Sequence, residues 1–224
     1  MRRVRLRILG LLPFEVFGDG DIIASHLSVP TPWYDQGRDR IRLFVSCRDY
    51  GGRSRVFVLD LDPANPLGNH ERNLNLVLDI GGEGSFDSDG VLCTSILEEG
   101  DGSLQMLYAG FKRGSHGSYQ LLTGHAKSSQ RGDSFERTTD LPILESLPGE
   151  STVRGAAVFG QTLGMIDPPR IVYAGGSGWI TTADGKRRPN YQLREQDFGE
   201  NYLPTGASRV VLEPRDGEHG FGRT

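Results

Sequence analysis

Residues 85–90 read Ser-Phe-Asp-Ser-Asp-Gly and place two carboxylates, Asp87 and Asp89, just before the apolar run 91–97. Carboxylates this close together could serve as a general acid and base, ligate a calcium ion or cap a turn before a strand. An EF-hand loop needs an oxygen ligand at its fifth position and glycine at its sixth. Counted from Asp87, these positions are Val91 and Leu92. An EF-hand is therefore excluded, and the acid pair and the turn stay open.

Two further acidic residues stand in comparable phrases. Glu150 belongs to GESTVRGA and Glu218 to GEHGFGRT, and each phrase precedes another apolar or glycine-rich stretch. Asp87 lies 21 residues before Tyr108, and Glu150 lies 23 residues before Tyr173. The acidic residues thus recur at matching places, and the next question is what structure would bring them together.

The elements around these acids repeat along the chain. Three similar stretches, RLFVSCRD, LQMLYAGF and RIVYAGGS, align on Val45, Tyr108 and Tyr173, which lie 63 and 65 residues apart. A fixed period of this kind is typical of repeat architectures. Each stretch follows one short apolar run and precedes two more, which predicts four strands in each of the repeats 20–80, 85–140 and 150–213.

Four short strands per repeat are typical of a β-propeller blade. The 31 glycines, the 12 prolines and the lack of a long 3.6-residue apolar period also favour an all-β fold. We predict one propeller domain over residues 1–224, with about three and a half blades because a fourth repeat begins at residue 217. A plain antiparallel sandwich is the alternative. Since an open ring exposes sheet edges, we expect a truncated ring that self-associates or finds a partner chain.

In a propeller, the first strand of each blade lines the central axis, so Asp87, Glu150 and Glu218 would converge at one end of the channel. Carboxylates in a partly dry pocket acquire different pKa values, which suits one of them as an acid and another as a base. This division of roles is what glycoside hydrolysis requires. The three residues are therefore predicted as catalytic.

Several other side chains are candidates for substrate binding. Arg48 ends a second strand and could clamp an anionic group of a sugar, or pair internally with Asp49 or a neighbouring blade. Arg154 and Arg223 begin equivalent inner strands, and two such arginines could hold phosphate or an acidic sugar. His26 precedes an inner strand, and Asp89 is either a substrate ligand or a turn residue.

Net charge, the length of apolar stretches and the cysteine count limit the classes of partner and location. The net charge of −4 gives no electrostatic argument for nucleic acid or an anionic membrane surface. No stretch has the 18 or so apolar residues of a membrane span. Two cysteines make no disulfide framework and no zinc spacing, which favours a reducing cytoplasm. We expect no cofactor, although the channel leaves room for a structural calcium ion.

Six motifs resemble those of one known group. They are HLSVP at 26–30, SCRD at 46–49, SFDSDGV at 85–91, GHAKSSQRGDSF at 124–135, LPIL at 141–144 and GEHGFGR at 217–223. In these phrases, from about residue 20 to the end, the chain resembles the five-bladed β-propeller glycoside hydrolase superfamily. That superfamily comprises arabinanases, levansucrases, invertases and mannoside phosphorylases, of families 43, 32, 68 and 130, and the similarity is greatest to uncharacterised bacterial members.

The resemblance implies roles for two of the acids. In family 43 a general-base Asp lies on the first blade, a pKa-tuning Asp on the second and a general-acid Glu on the third. Asp87 and Glu150 match the second and third positions, whereas the first position falls on Ala24 or Ile22, with Asp21 nearby. We therefore predict a glycosidase-like enzyme of carbohydrate metabolism. A non-catalytic carbohydrate-binding or scaffold propeller is the first alternative. A phosphorylase or sugar transferase that uses the axial arginines is the second.

Overall fold

The computed structural model describes residues 25–68, 74–114, 119–144, 153–163, 169–181, 185 and 187–215. Twelve strands follow one another within these ranges, and all of them join one sheet. They are β1 (Ser25–Asp35), β2 (Arg40–Arg48), β3 (Ser54–Leu61), β4 (Asn75–Leu78), β5 (Gly90–Glu98), β6 (Leu104–Arg113), β7 (Tyr119–Ser128), β8 (Glu136–Arg137), β9 (Val153–Phe159), β10 (Arg170–Thr181), β11 (Arg187–Phe198) and β12 (Pro204–Leu212).

The strands form three antiparallel blades of four strands each. Strands β1–β4, β5–β8 and β9–β12 pair in sequence order within blades 1, 2 and 3. Short parallel pairings join one blade to the next, β3 to β5 and β7 to β9. This arrangement confirms the predicted all-β propeller class, and the twelve strands overlap the twelve apolar runs found in the sequence. The fourth repeat from residue 217 lies outside the described residues.

A tight turn with glycine closes the hairpin between the first two strands of blade 2. Between β5 and β6, the amide of Glu99 donates to the carbonyl of Ser103, and that of Gly102 donates to Glu99, both at 2.9 Å. Gly102 has a φ of +78°, a left-handed conformation that glycine adopts without a steric cost. This turn closes the hairpin and holds β5 and β6 in register.

The hydrophobic core of the described residues has three clusters, of which one belongs to blade 1 alone and two form layers between the blades. The first layer joins blades 1 and 2 and includes Phe44, Val58, Met106 and Tyr108, all fully buried. The second joins blades 2 and 3 and includes Leu107. Because successive side chains of a strand point to opposite faces, β6 contributes to both layers. A strand covered on both faces reads as a continuous apolar run, which explains the sequence LQMLYAG.

A repeated threonine hydrogen bond joins the inner strands. The Thr31 hydroxyl of β1 donates to the Cys93 carbonyl of β5 at 3.2 Å. In the next blade the Thr94 hydroxyl of β5 donates to the Ala157 carbonyl of β9 at 2.6 Å. Thr31, Thr94 and Ala157 are each 63 residues apart, so the repeat in sequence is also a repeat of contacts. These bonds fix the spacing of the inner strands around the axis.

Ion pairs join blades 1 and 2 at the end of the sheet where β1 finishes. Asp35 is fully buried and pairs with Arg131, whose hydrogen bond lowers the pKa of that carboxyl. Asp133 accepts from Arg38 at 2.8 Å and from Arg42 at 2.7 Å. The hydrogen bond from Arg38 contributes most to a pKa of about 2 for Asp133. The loop between β7 and β8 is thereby held against blade 1.

His125 lies at the corresponding junction between blades 2 and 3. Its ring stacks on Tyr202 of the short 3-10 helix Glu200–Tyr202, with 4.7 Å between ring centroids. Its Nδ1 lies 2.9 Å from the Thr138 hydroxyl, whereas its buried Nε2 has no hydrogen-bond partner among the described residues. Burial, with a smaller effect of the Lys127 charge, lowers the pKa of His125 to about 4.

We expect Thr94→Val to destabilise the fold by about 1–3 kcal/mol, because it removes a buried hydroxyl donor and leaves the Ala157 carbonyl without it. Urea unfolding would measure the change. Thr181→Val, at an exposed position on β10, is the matched control and should leave the midpoint almost unchanged. Equal stability of the two variants would show that the inner strands do not depend on this bond.

We expect stability to fall as pH drops from about 6.5 towards 4. The folded pKa of His125 is about 4, against 6.5 for an ordinary histidine. In this window the unfolded chain binds the proton and the folded chain does not, so the slope approaches about 1.4 kcal/mol per pH unit. His125→Gln should flatten this window, as measured by unfolding midpoints against pH. His26→Gln, at an exposed position, should not, and a similar flattening in both variants would contradict the assignment.

Candidate active site

One continuous row of backbone pairing marks the end of the propeller where the inner strands begin. We call this end the upper rim. The paired residues run across the blades in the order Ser25, Arg48, Ser54, Gly90, Phe111, Leu121 and Val153. The strands β1, β5 and β9 therefore all start at one end. Residues that begin these strands are therefore brought to the same rim.

Asp87 lies at the upper rim, in the turn before β5, and is 1% exposed. Its Oδ1 accepts from the Ser85 hydroxyl at 2.7 Å. Its Oδ2 accepts from the Tyr108 hydroxyl at 3.2 Å and from the Arg137 guanidinium at 2.8 Å. Because burial raises the pKa of Tyr108, its hydroxyl keeps its proton and stays a donor. Asp87 is thus a buried anion balanced by one arginine.

Close backbone approach makes room for this carboxylate. The amide of Gly81 donates to the Asp87 carbonyl at 3.2 Å. A Cβ atom at Gly81 would overlap the Asp87 carboxylate, and one at Gly110 would overlap the Phe86 ring. Glycine is therefore required at both positions, as is common where two segments of backbone pack closely. The phrase GGEGSFDSDG is a packing motif around Asp87 as well as a turn.

A chain of ion pairs connects Asp87 to blade 1. Arg137 also donates to the backbone carbonyl of Asp79, and the Asp79 carboxylate accepts from Arg55 at 2.6 Å. Arg55 in turn pairs with buried Asp49 at 2.7 Å. Burial opposes the charge of Asp49, but the hydrogen bonds from Arg55 and Arg53 dominate and lower its pKa to about 2. Alternating charges therefore cross from blade 1 to blade 2 below the rim.

The residues predicted to bind substrate on blades 1 and 2 lie at the upper rim in different environments. Asp89 lies in the turn before β5, where its Oδ2 accepts from the backbone amide of Arg113 at 2.9 Å. Its geometry is that of a turn residue. His26, near the start of β1, is exposed and has a φ of +58°. Arg48, at the end of β2, is also exposed. Asp49 pairs with Arg53 and Arg55 rather than with Arg48.

Arg154 begins β9 and is 4% exposed. Its Nη1 donates to the Tyr173 hydroxyl at 3.2 Å, and its guanidinium lies 5.8 Å from the centre of the Tyr173 ring. Tyr173 occupies the position in blade 3 that Tyr108 occupies in blade 2. The predicted binding residue Arg154 is therefore a buried cation next to a tyrosine hydroxyl.

The remaining predicted site residues, Glu150, Glu218 and Arg223, lie outside the described residues, so their roles stay predictions. Within the described ranges, no group of three or more His, Cys, Asp and Glu side chains is arranged to hold a metal ion. In the same ranges no helix is long and apolar enough to cross a membrane. Cys47 and Cys93 are buried free thiols, and burial raises the pKa of Cys47 to about 12.

Sequence reasoning missed the basic half of the network around Asp87. Arg137 lies 50 residues further along the chain, on the short outer strand β8, and nothing in its local sequence SFERT points to the inner strand. Tyr108 was found as a repeat marker, but its hydroxyl contact was not. The signal that could have revealed both is the repeat itself, because a tyrosine recurs at one buried position in two blades.

No protein-family model matches the chain, and no curated protein matches its sequence. Among solved structures it is similar to the α-L-arabinofuranosidase from Lactobacillus brevis, with a TM-score of 0.60 and 12% identity over 84% of this chain and 54% of the enzyme. It is also similar to a thermostable family-43 glycoside hydrolase, with a TM-score of 0.55 and 14% identity over 84% of this chain and 60% of that one.

These similarities confirm the fold that the resemblance implied. The chain has the propeller fold of the glycoside hydrolases, and it spans 54% and 60% of the length of the two structures. At identities of 12% and 14% the likeness concerns the fold and does not extend to substrate or catalysis.

We expect Asp87→Asn and Arg137→Gln to destabilise the fold by about 3–5 kcal/mol each, because each leaves a buried charge without its partner. The double variant should cost clearly less than the sum of the two single variants, as measured in a urea double-mutant cycle. Glu83→Gln, an exposed acid in the same loop, is the control. Strictly additive effects would show that the pair does not act as a unit.

Proposed function

We propose that this chain belongs to a carbohydrate-active propeller that cleaves a glycosidic bond with carboxylates at the upper rim. The observation that carries the proposal is the position of Asp87, a buried acid directly before the inner strand of blade 2, in a fold shared with glycoside hydrolases. Glu150 and Glu218 occupy the matching sequence positions before the next two repeats. A carbohydrate is the proposed substrate class.

Each carboxylate has a separate role in the proposed reaction. Asp87 is held by Arg137 and Tyr108 and has little access to solvent, which suits a supporting anion rather than a group that touches substrate. Glu150 is the general acid and protonates the departing glycosidic oxygen, as the resemblance implies. Glu218 is the second reacting carboxylate, which either activates water or attacks the anomeric carbon. His26 and Arg48, exposed at the same rim, would contact sugar hydroxyls.

A non-catalytic carbohydrate-binding propeller is the second candidate. It is favoured by the first blade, whose position for a general base falls on Ala24 or Ile22. The phosphorylase alternative differs from hydrolysis in the molecule that accepts the glycosyl group, which is phosphate instead of water. Self-association of the chain and a cytoplasmic location also remain predictions.

We expect the 224-residue chain to hydrolyse at least one member of a panel of aryl glycosides that includes α-L-arabinofuranosides and β-xylosides. Glu150→Gln should lower kcat/KM by about a hundred-fold or more, the usual contribution of a general acid. Glu99→Gln, in the hairpin turn at the opposite end of blade 2, is the matched control and should retain full activity. Light scattering and thermal unfolding of the same samples would establish that each variant is folded.

The outcomes separate the candidates. Turnover that depends on Glu150 supports hydrolysis, and turnover that requires added phosphate supports phosphorolysis. Saturable sugar binding by a folded chain without turnover supports the binding protein. Equal activity of Glu150→Gln and Glu99→Gln would contradict the proposed catalytic role of Glu150.

A further inference from the structure

A second polar site lies beside blade 3, and Asp87 is not among its lining residues. Loop 139–144, which follows β8, and the outer strands β11 and β12 enclose a pocket of about 590 Å³. This volume is within the range of small-molecule sites. Its polar lining comprises Thr139, Arg154, Arg194, Gln196 and Ser208, and its apolar wall comprises Leu141, Pro142, Ile143, Leu144, Leu203 and Pro204.

The hydrogen bonds that line this pocket converge on the Ser208 hydroxyl. Arg154 donates to the Tyr173 hydroxyl at 3.2 Å, and that hydroxyl donates to the Ser208 Oγ at 2.8 Å. The Ser208 Oγ also accepts from Arg194 Nε at 2.8 Å. Each of the two hydroxyl groups thus accepts one N–H bond from an arginine, and the Tyr173 hydroxyl donates its proton to the Ser208 hydroxyl. The Ser208 proton is left, and within the described residues no acceptor receives it.

Arg194 adds further donors to the same place. Its guanidinium has five N–H groups, and its described acceptors are the Ser208 Oγ and the Gln192 Oε1 at 2.9 Å. Both acceptors are neutral, and no carboxylate among the described residues pairs with Arg194. Its aliphatic stem lies flat on Gly175, where a Cβ atom would come within 2.7 Å of the Arg194 Cδ. The guanidinium is therefore fixed in place without a described counter-ion.

The acidic residues of the same strand lie on its other face. Because side chains alternate along a strand, Glu195 and Asp197 point away from Arg194. They pair there with Arg170 and Arg209 at 2.7–3.9 Å. Strand β11 thus separates its charges, with ion pairs on one face and Arg194, whose described acceptors are neutral, on the face that lines the pocket.

We propose that this pocket is a binding site for the oxyanion of a small molecule, either the carboxylate of an acidic sugar or a phosphate group. An acceptor-rich anion would receive the leftover hydroxyl proton and the unused N–H groups of Arg194, in bonds stronger than those between neutral groups. The apolar wall excludes water on one side and strengthens the attraction. A neutral ligand would leave the Arg194 guanidinium without a described counter-ion. The site does not depend on the glycosidase activity proposed above.

The test is a calorimetric titration of the 224-residue chain with inorganic phosphate and, separately, with glucuronate, at constant ionic strength. Glucose is the neutral probe. We expect saturable binding of at least one anion and none of glucose. Binding of phosphate alone would identify a phosphate site, and binding of glucuronate alone would identify an acidic-sugar site.

Variants would locate the binding. Arg194→Gln and Ser208→Ala should each weaken the anion by roughly ten-fold or more, the usual effect of losing a hydrogen bond to a charged partner. Arg209→Gln removes the same charge from the opposite face of the sheet and should bind as the wild type does. Thermal unfolding would confirm that the variants fold, and Ser208→Ala is a small change that keeps the test valid if Arg194→Gln does not fold.

Two results would overturn the proposal. One is the absence of saturable binding of either anion by the folded wild-type chain. The other is equal weakening in Arg194→Gln and Arg209→Gln, which would show attraction to overall charge and not to this pocket.

Discussion

The joints between neighbouring blades are the constraint on which the rest of the structure depends. At the upper rim each joint is a short parallel backbone pairing, such as Ser54 with Gly90. Further along, each is a threonine hydrogen bond, such as Thr94 to the Ala157 carbonyl. Because both kinds of joint recur, the first strands of successive blades start at the same end of the propeller. The pairing of Gly90 with Ser54 holds the turn before β5 beside blade 1, and Asp87 is buried in that turn.

The same geometry buries a tyrosine hydroxyl in blade 2 and another in blade 3, and the two blades supply different partners for it. Tyr108 and Tyr173 occupy equivalent buried positions, and a buried hydroxyl needs partners. In blade 2 the partners are Asp87 and Arg137, which together are neutral. In blade 3 the described partners are Arg154 and a serine. Equivalent backbones thus surround the same hydroxyl with different side chains.

The parts of the fold that depend on periodicity could be predicted from the sequence, because strand and turn signals are local. The twelve strands and the hairpin ending at Gly102 are of this kind. The position of Asp87 at the start of an inner strand also followed from the repeat. Its pairing with Arg137 did not, because contacts between an inner and an outer strand depend on side-chain length and direction. Pairing of Arg48 with Asp49 was a reasonable local guess, but adjacent strand residues point to opposite faces.

Burial of Asp87 also bears on how a propeller of this kind could perform chemistry. A group that exchanges protons with substrate needs access to the reacting oxygen, whereas Asp87 is surrounded by its own donors. It can act on a neighbouring acid only through its charge and through the rigidity it gives to the rim. Arg137 reduces that charge effect, since an ion pair attracts or repels a third group less than a single anion does. In the proposed reaction Asp87 therefore mainly positions the rim, and proton transfer depends on Glu150 and Glu218.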